Sequence, residues 1–154
     1  MTLTLQEISD RIEITDTITR YSYGLDQRIW PEWDRTFTPD AVLDFSAVGM
    51  SEHSPAELRA IFTQGDATRI PVGQHLLHNT VIEVDGDRAT ARSEYTMTTH
   101  SRTETEGKAR RVQGGGWYSD ELVRTDAGWR ITRRTANSKW IDVVEVDWAA
   151  PVSD

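Results

Sequence analysis

The sequence predicts an α+β domain, on three observations. Apolar residues recur at helical spacing as far as Phe62, and the period changes to two from Gln74 onward. Glycine-bearing turns, Asp85-Gly86-Asp87 and Thr125-Asp126-Ala127-Gly128, then separate the strand-like runs. Helices first and a long meander of strands afterwards is the order in which helices cover one face of a mainly antiparallel sheet.

The first helix is expected over residues 5–28. Leu5, Ile8 and Ile12 form one apolar line, and Ile14, Ile18, Tyr21 and Leu25 form a second, rotated by roughly a third of a turn, so the helix is expected to bend or to bury two faces. Pro31 suits the first turn of a short second helix reaching Phe37. Thr38-Pro39-Asp40 reads as a turn and residues 41–45 as a short strand. Ser54-Pro55-Ala56-Glu57 is a capping box with proline at the first helical position, and it starts a third helix through Leu58, Ile61 and Phe62 that Gly65 and Asp66 are expected to end. Residues 74–84 and 88–101 read as a hairpin, with Ala89, Ala91, Ser93, Tyr95 and Met97 on one face of the returning strand. A solvated loop is expected over 102–110, followed by strands over 112–124 and 129–143. Gly114-Gly115-Gly116 would let the long strand bend or bulge. The whole chain, 1–154, reads as one domain, with a core over about 5–142 and an acidic tail, 145–154, outside it.

Composition narrows the function classes. A chain of 154 residues can close one core, and its six tryptophans compensate for a hydrophobic share of 37%. A formal net charge of -8 argues against nucleic acid or an anionic membrane as partner. No apolar run approaches the ~18 residues of a membrane helix, and Met1-Thr2-Leu3-Thr4-Leu5 lacks the features of a signal peptide, so a cytoplasmic location is the default expectation. The absence of cysteine removes disulfides, thiolate metal sites and cysteine nucleophiles. The isolated histidines His53 and His100 do not make a metal site, and no cofactor motif is found.

One pairing stands out. The run Tyr21-Ser22-Tyr23-Gly24-Leu25-Asp26 puts a carboxylate at the end of the first helix, and Gln74-His75-Leu76-Leu77-His78-Asn79 puts an imidazole at the start of a strand. A carboxylate that holds a histidine in one tautomer makes it a general base. The alternatives are a solvated Asp26 beside Gln27 and Arg28, and a core histidine satisfied by a backbone carbonyl. A carboxylate at a helix C-terminus is opposed by the helix dipole, so a purely structural reason for Asp26 is not obvious. On an uninterrupted strand His75 shares its face with Leu77, Asn79 and Val81, while His78 points the other way. Arg102, Arg110, Arg111, Arg133 and Arg134 are expected to be solvated or paired with acids, and Asp44 to be structural.

Several motifs in this order resemble the SnoaL-like branch of the nuclear transport factor 2-like superfamily. They are the opening Leu5-Gln6-Glu7-Ile8-Ser9-Asp10-Arg11, the run from Arg20 to Asp26, Phe37-Thr38-Pro39-Asp40-Ala41-Val42, Gln74-His75-Leu76-Leu77, the hairpin from Glu83 to Ala89, and Asp126-Ala127-Gly128-Trp129-Arg130-Ile131. The resemblance implies a cone-shaped α+β barrel, with three helices packed inside a strongly curved mixed sheet and a cavity at the wide end. Relatives include polyketide cyclases, scytalone dehydratase, hexachlorocyclohexane dehydrochlorinase, ketosteroid isomerase and limonene epoxide hydrolase, and dimers and trimers are common. The dehydratase and dehydrochlorinase match at Asp26 and His75, with histidine as base and aspartate as its orienter. An arginine before the last hairpin turn of the dehydrochlorinase has its nearest match in Arg124, and Tyr21, Tyr23, Tyr95 and His100 are stand-ins for polar groups of the dehydratase. The resemblance therefore implies a cofactor-independent lyase or isomerase that takes a proton from a small hydrophobic molecule. Asp26 and His75 would be catalytic, and Tyr21, Tyr95, Met97, Trp117 and Arg124 would contact substrate. A homo-dimer or homo-trimer is expected, with neither nucleic acid nor membrane as partner. Polyketide cyclisation, or ligand binding without catalysis, are the alternatives.

Overall fold

A computed structural model describes residues 2–64 and 72–148. The order is α1 (Leu5–Asp26), α2 (Trp30–Thr36), β1 (Phe37–Asp44), a short 3-10 turn (Ser46–Val48), β2 (Glu52–His53), α3 (Pro55–Thr63), β3 (Val72–Asp85), β4 (Arg88–Arg102), β5 (Lys108–Thr125) and β6 (Gly128–Asp147). The six strands form one mixed sheet in the order β2-β1-β6-β5-β4-β3. Only β1 and β6 run parallel, and all other neighbours are antiparallel. The architecture is the nuclear transport factor 2-like cone, with three helices packed against a curved sheet that stays open between β2 and β3. No helix among the described residues is long and apolar enough to cross a membrane.

Helix α1 starts at a complete capping box. The Thr4 hydroxyl accepts from the Glu7 N–H, and the Glu7 carboxylate accepts from the Thr4 N–H at 2.7 Å, a device worth about 1 kcal/mol. The helix buries one face, not two. Ile14, Ile18 and Tyr21 lie in the core, whereas Leu5, Ile8 and Ile12 stay exposed. Near its end the chain turns into α2, and Gly24 is what permits the approach, because a Cβ there would sit 2.8 Å from the Trp33 backbone nitrogen. Gly24 lies two residues before Asp26, the last residue of α1.

Thr38-Pro39-Asp40 is not a turn. β1 runs through it, and its register against β6 shifts between Phe37 and Val42. Pro39, which has no N–H to give to a ladder, falls in that irregular stretch. The third helix begins at its capping box as the sequence predicts, while Gly65 and Asp66 lie outside the described residues. The loop expected over 102–110 is shorter, because both flanking strands extend into it. Glu145 to Asp147 belong to β6 instead of a tail, and Arg102 covers the Trp148 ring at 5.2 Å. Pro151 lies outside the described residues.

Three bulges correct the simple two-residue alternation. Two residues on β3, Asn79 and Thr80, oppose Ser93, and Asn79 takes a left-handed φ of 51°. Val81 is therefore turned outward and exposed, and Ile82 points into the core in its place. Thr132 and Lys139 are the extra residues on β6. Beside Lys139, Gly116 comes so close to β6 that a Cβ would meet the Asn137 carbonyl oxygen at 1.8 Å.

Candidate active site

Asp26 closes α1, and His75 is the fourth residue of β3, opposite Met97 of β4. The carboxylate grips the histidine twice. Asp26 Oδ1 meets His75 Nδ1 at 2.6 Å, and Asp26 Oδ2 accepts from the His75 backbone N–H, also at 2.6 Å. Both side chains are nearly buried, at 12% exposure for His75 and 10% for Asp26. The two N–H donors answer the helix dipole that opposes a carboxylate at this end of α1. Because an ionised carboxylate only accepts, the contact assigns the proton to Nδ1 and leaves the Nε2 lone pair available.

The pair borders a cavity of about 560 Å³ between the helices and the sheet. Its wall is mostly apolar or aromatic, with Phe45, Phe62, Tyr95, Met97, Tyr118 and Ile141 as main contributors. Among the described residues, Arg28 is the one arginine or lysine in that wall. It takes a left-handed φ of 56° directly after α1, and its Nη1 donates to the Phe62 carbonyl at 3.3 Å. Partial burial lowers its pKa.

Of the substrate-contacting residues expected from sequence, Tyr21, Tyr95 and Met97 line this cavity together with Asp26 and His75. Trp117 and Arg124 do not. Trp117 projects to the opposite sheet face, where Arg92 stacks on it at 4.7 Å, because position 118, not 117, has inward parity on β5. Arg124 belongs to another cluster. It pairs with Asp10 at 2.5 Å and Asp87 at 2.9 Å and covers the Trp129 ring. Tyr23 is exposed, and His53 bonds Ser51 on the surface. Asp44 is structural, held by Ser46 and close to Arg133.

Tyr118 and Asp120, two groups beside the cavity, were not singled out from the sequence, while Arg134, expected to be solvated or paired with an acid, is paired and fully buried. Tyr118 lines the cavity. Behind Tyr118 lies a bidentate ion pair, Arg134 to Asp120, with both contacts at 2.7 Å and both side chains fully buried. Burial lowers the pKa of Arg134, but Asp120, with help from Tyr21 and Tyr118, outweighs it, so the pKa is raised and the guanidinium stays protonated. The guanidinium is packed on the faces of Tyr21 and Tyr118, at 4.1 and 4.4 Å from the ring centres. A signal for this pair was present: Asp120 shares its strand parity with Tyr118 and Leu122, which marks an acid on an otherwise inward face. Among the described residues no cluster of three or more His, Asp or Glu side chains has the arrangement of a metal site.

Comparison with known proteins agrees with this architecture. The SnoaL-like domain family matches residues 6–135. The uncharacterized protein Rv2910c of Mycobacterium tuberculosis H37Rv is 38% identical over 133 residues, which cover 86% of this chain and 87% of that one. A crystal structure of a candidate aromatic ring hydroxylase from Novosphingobium aromaticivorans shares 29% identity with a TM-score of 0.76, over 90% of this chain and 94% of that one. Hexachlorocyclohexane dehydrochlorinase LinA-type3 from Novosphingobium barchaimii LL02 has the same fold, with a TM-score of 0.74 at 16% identity over 96% and 99% of the two chains. From its motifs, its fold and these matches, the chain belongs to the SnoaL-like domain family.

Proposed function

We propose that this protein is a cofactor-independent lyase or isomerase in which His75 removes a proton from carbon and Asp26 orients it. The observation that carries the reading is the double grip of Asp26 on His75 at the edge of a largely apolar cavity. Fixing Nδ1 as donor presents Nε2 as the base, and the carboxylate then stabilises the imidazolium that forms. The same two residues set apart for purely structural use would have no reason to border a void. The apolar wall selects a small hydrophobic molecule and keeps water away from the reacting atoms, which strengthens each charge interaction inside. After proton removal the substrate either expels a leaving group or accepts the proton elsewhere, so elimination and isomerisation share this machinery. Elimination is also the reaction in the name of the dehydrochlorinase whose fold is shared.

The test is proton exchange followed by NMR in deuterated water, over a panel of cyclic compounds with and without carbonyl groups. The wild-type protein is expected to exchange or eliminate at least one, and His75→Ala to abolish this with circular dichroism and Tm unchanged. Equal activity in His75→Ala overturns the assignment.

A further inference from the structure

Asp26 and Arg28 stand two residues apart at the end of α1, and both line the cavity. The chain leaves the helix there through a Schellman motif. The Ile29 N–H donates to the Gly24 carbonyl at 2.9 Å, and the Arg28 N–H to the Leu25 carbonyl at 3.2 Å. The residue after the cap in this motif takes a left-handed backbone, which glycine adopts freely and most other residues adopt at a cost. Here that residue is Arg28, at a φ of 56°. Among the described residues the other non-glycine with such a φ is Asn79, and asparagine tolerates it. Arginine has no such tolerance, and a strained residue beside a pocket points to a use for its side chain.

The surroundings of the side chain suit an anion. Arg28 Nη1 donates to the Phe62 carbonyl at 3.3 Å, which ties the guanidinium across to α3 on the cavity wall. That wall is largely apolar, and opposite charges attract more strongly there than in open water. Partial burial penalises the charge of Arg28, a cost that an arriving anion offsets. A guanidinium presents its N–H groups as a planar fork that matches a carboxylate. It balances a single negative charge, so a dianion such as a phosphate would bring an uncompensated charge against apolar side chains. A chain with a formal net charge of -8 repels anions at long range. Any preference for an acid therefore has to come from a local contact.

We propose that Arg28 binds a carboxylate on the substrate, so that the cavity takes an apolar ring system bearing one acid group. This deepens the reading of the cavity as the place where His75 meets its substrate, and rests on it. The end of α1 then supplies two functions. Asp26 orients the base, and Arg28 anchors the molecule that the base attacks. An anchored carboxylate limits which carbon of the ring can meet His75 Nε2.

The probes are 2-naphthoate and 2-naphthamide, which share a shape and differ in charge, with affinities read by calorimetry at neutral pH. The wild-type protein is expected to prefer naphthoate about tenfold, the worth of one charge-assisted contact. Arg28→Met keeps an apolar stem and is expected to erase the preference by weakening naphthoate alone. Arg28→Lys keeps the charge without the fork and should retain part of the preference. Arg28→Gly relieves the left-handed turn, so the preference should vanish while Tm holds or rises. An arginine kept only for the fold predicts a lower Tm in Arg28→Gly and both probes weakened alike. That pattern, equal affinity of the wild-type protein for the two probes, or its failure to bind naphthoate overturns the proposal. His75→Gln separates the two readings, since it should abolish proton exchange and keep the preference for naphthoate. If exchange survives in His75→Gln while the preference falls in Arg28→Met, the base is wrongly assigned and the anchor is not. If exchange depends on His75 and the wild-type protein shows no preference, the anchor fails alone.

Discussion

Helix α1 carries two nearly buried aspartates whose partners differ in kind. Asp10, near its start, accepts from both Arg124 Nη1 and Nη2 at 2.5 and 2.9 Å and from Trp129 Nε1 at 3.1 Å. Asp26, at its end, holds His75 by ring and backbone. Arginine stays charged at every relevant pH, and through Arg124 and Trp129 the Asp10 cluster joins helix to sheet. The Asp26 pair instead presents an imidazole to a void. One residue type on one helix thus serves adhesion where its partner is permanently charged and packed. It can serve chemistry where its partner is an imidazole that faces space.

The comparison breaks most decisively at His75. His75→Ala is expected to lower proton exchange by about 10²–10⁴-fold, the usual worth of a positioned base, measured by NMR with Tm as control. Asp26→Asn comes next. The amide oxygen can still accept from the His75 N–H and hold the strand, but the charge that favours the imidazolium is gone, and a loss of about 10²-fold in rate is expected with little change in Tm. Asp10→Ala should do the reverse. It strips Trp129 Nε1 of its acceptor and leaves Arg124 only Asp87 and the Gly86 carbonyl, so Tm should fall by roughly 5 °C while exchange per folded molecule holds. Loss of exchange in Asp10→Ala, with the protein folded, would erase the distinction between the two aspartates.

Acid sharpens it further. Arg124, against the cost of burial and with help from Trp129 and Gln6, holds the Asp10 carboxyl well below the usual carboxylate range. A carboxyl whose folded pKa is depressed stabilises the fold above its unfolded value of ~3.9, and that stability is lost as pH falls towards the folded value. Asp10→Asn should therefore flatten the acid limb of a Tm-versus-pH curve, and an unchanged limb would show that the Arg124 contact contributes nothing. The smallest effect is reserved for Trp117→Phe. Its ring lies on the far sheet face under Arg92, so exchange should not change.

What was legible in the sequence was local or periodic. The Ser54 capping box needs only four consecutive residues, and it forms as read. The period-two face of β4 survives intact, with Ala89, Ala91, Ser93 and Tyr95 all buried. The family motifs pointed to Asp26 and His75, and the structure places them in contact. What escaped depended on parity and bulges. Trp129 and Ile131 face inward, and strict alternation would put Arg133 beside them. The bulge at Thr132 resets the count, so Arg134 turns into the core and Arg133 reaches Glu52 on the surface. A resemblance to an arginine near the last hairpin thus pointed to Arg124, while the buried guanidinium beside the tyrosines belongs to a residue beyond the turn. Tyr118 was passed over, and its neighbour Trp117 chosen, through the same one-residue ambiguity.

By itself the sequence determined the α+β order, the helix starts, the hairpin turns and the family, because capping, turn chemistry and hydrophobic period act between residues close in the chain. Only the tertiary structure decided that Leu5, Ile8 and Ile12 stay in solvent and that Arg134 is inside and Trp117 outside. It also decided that Asp10 meets Arg124. Those outcomes turn on strand bulges and on contacts between residues far apart in the chain, where a shift of one residue exchanges the two faces of the sheet.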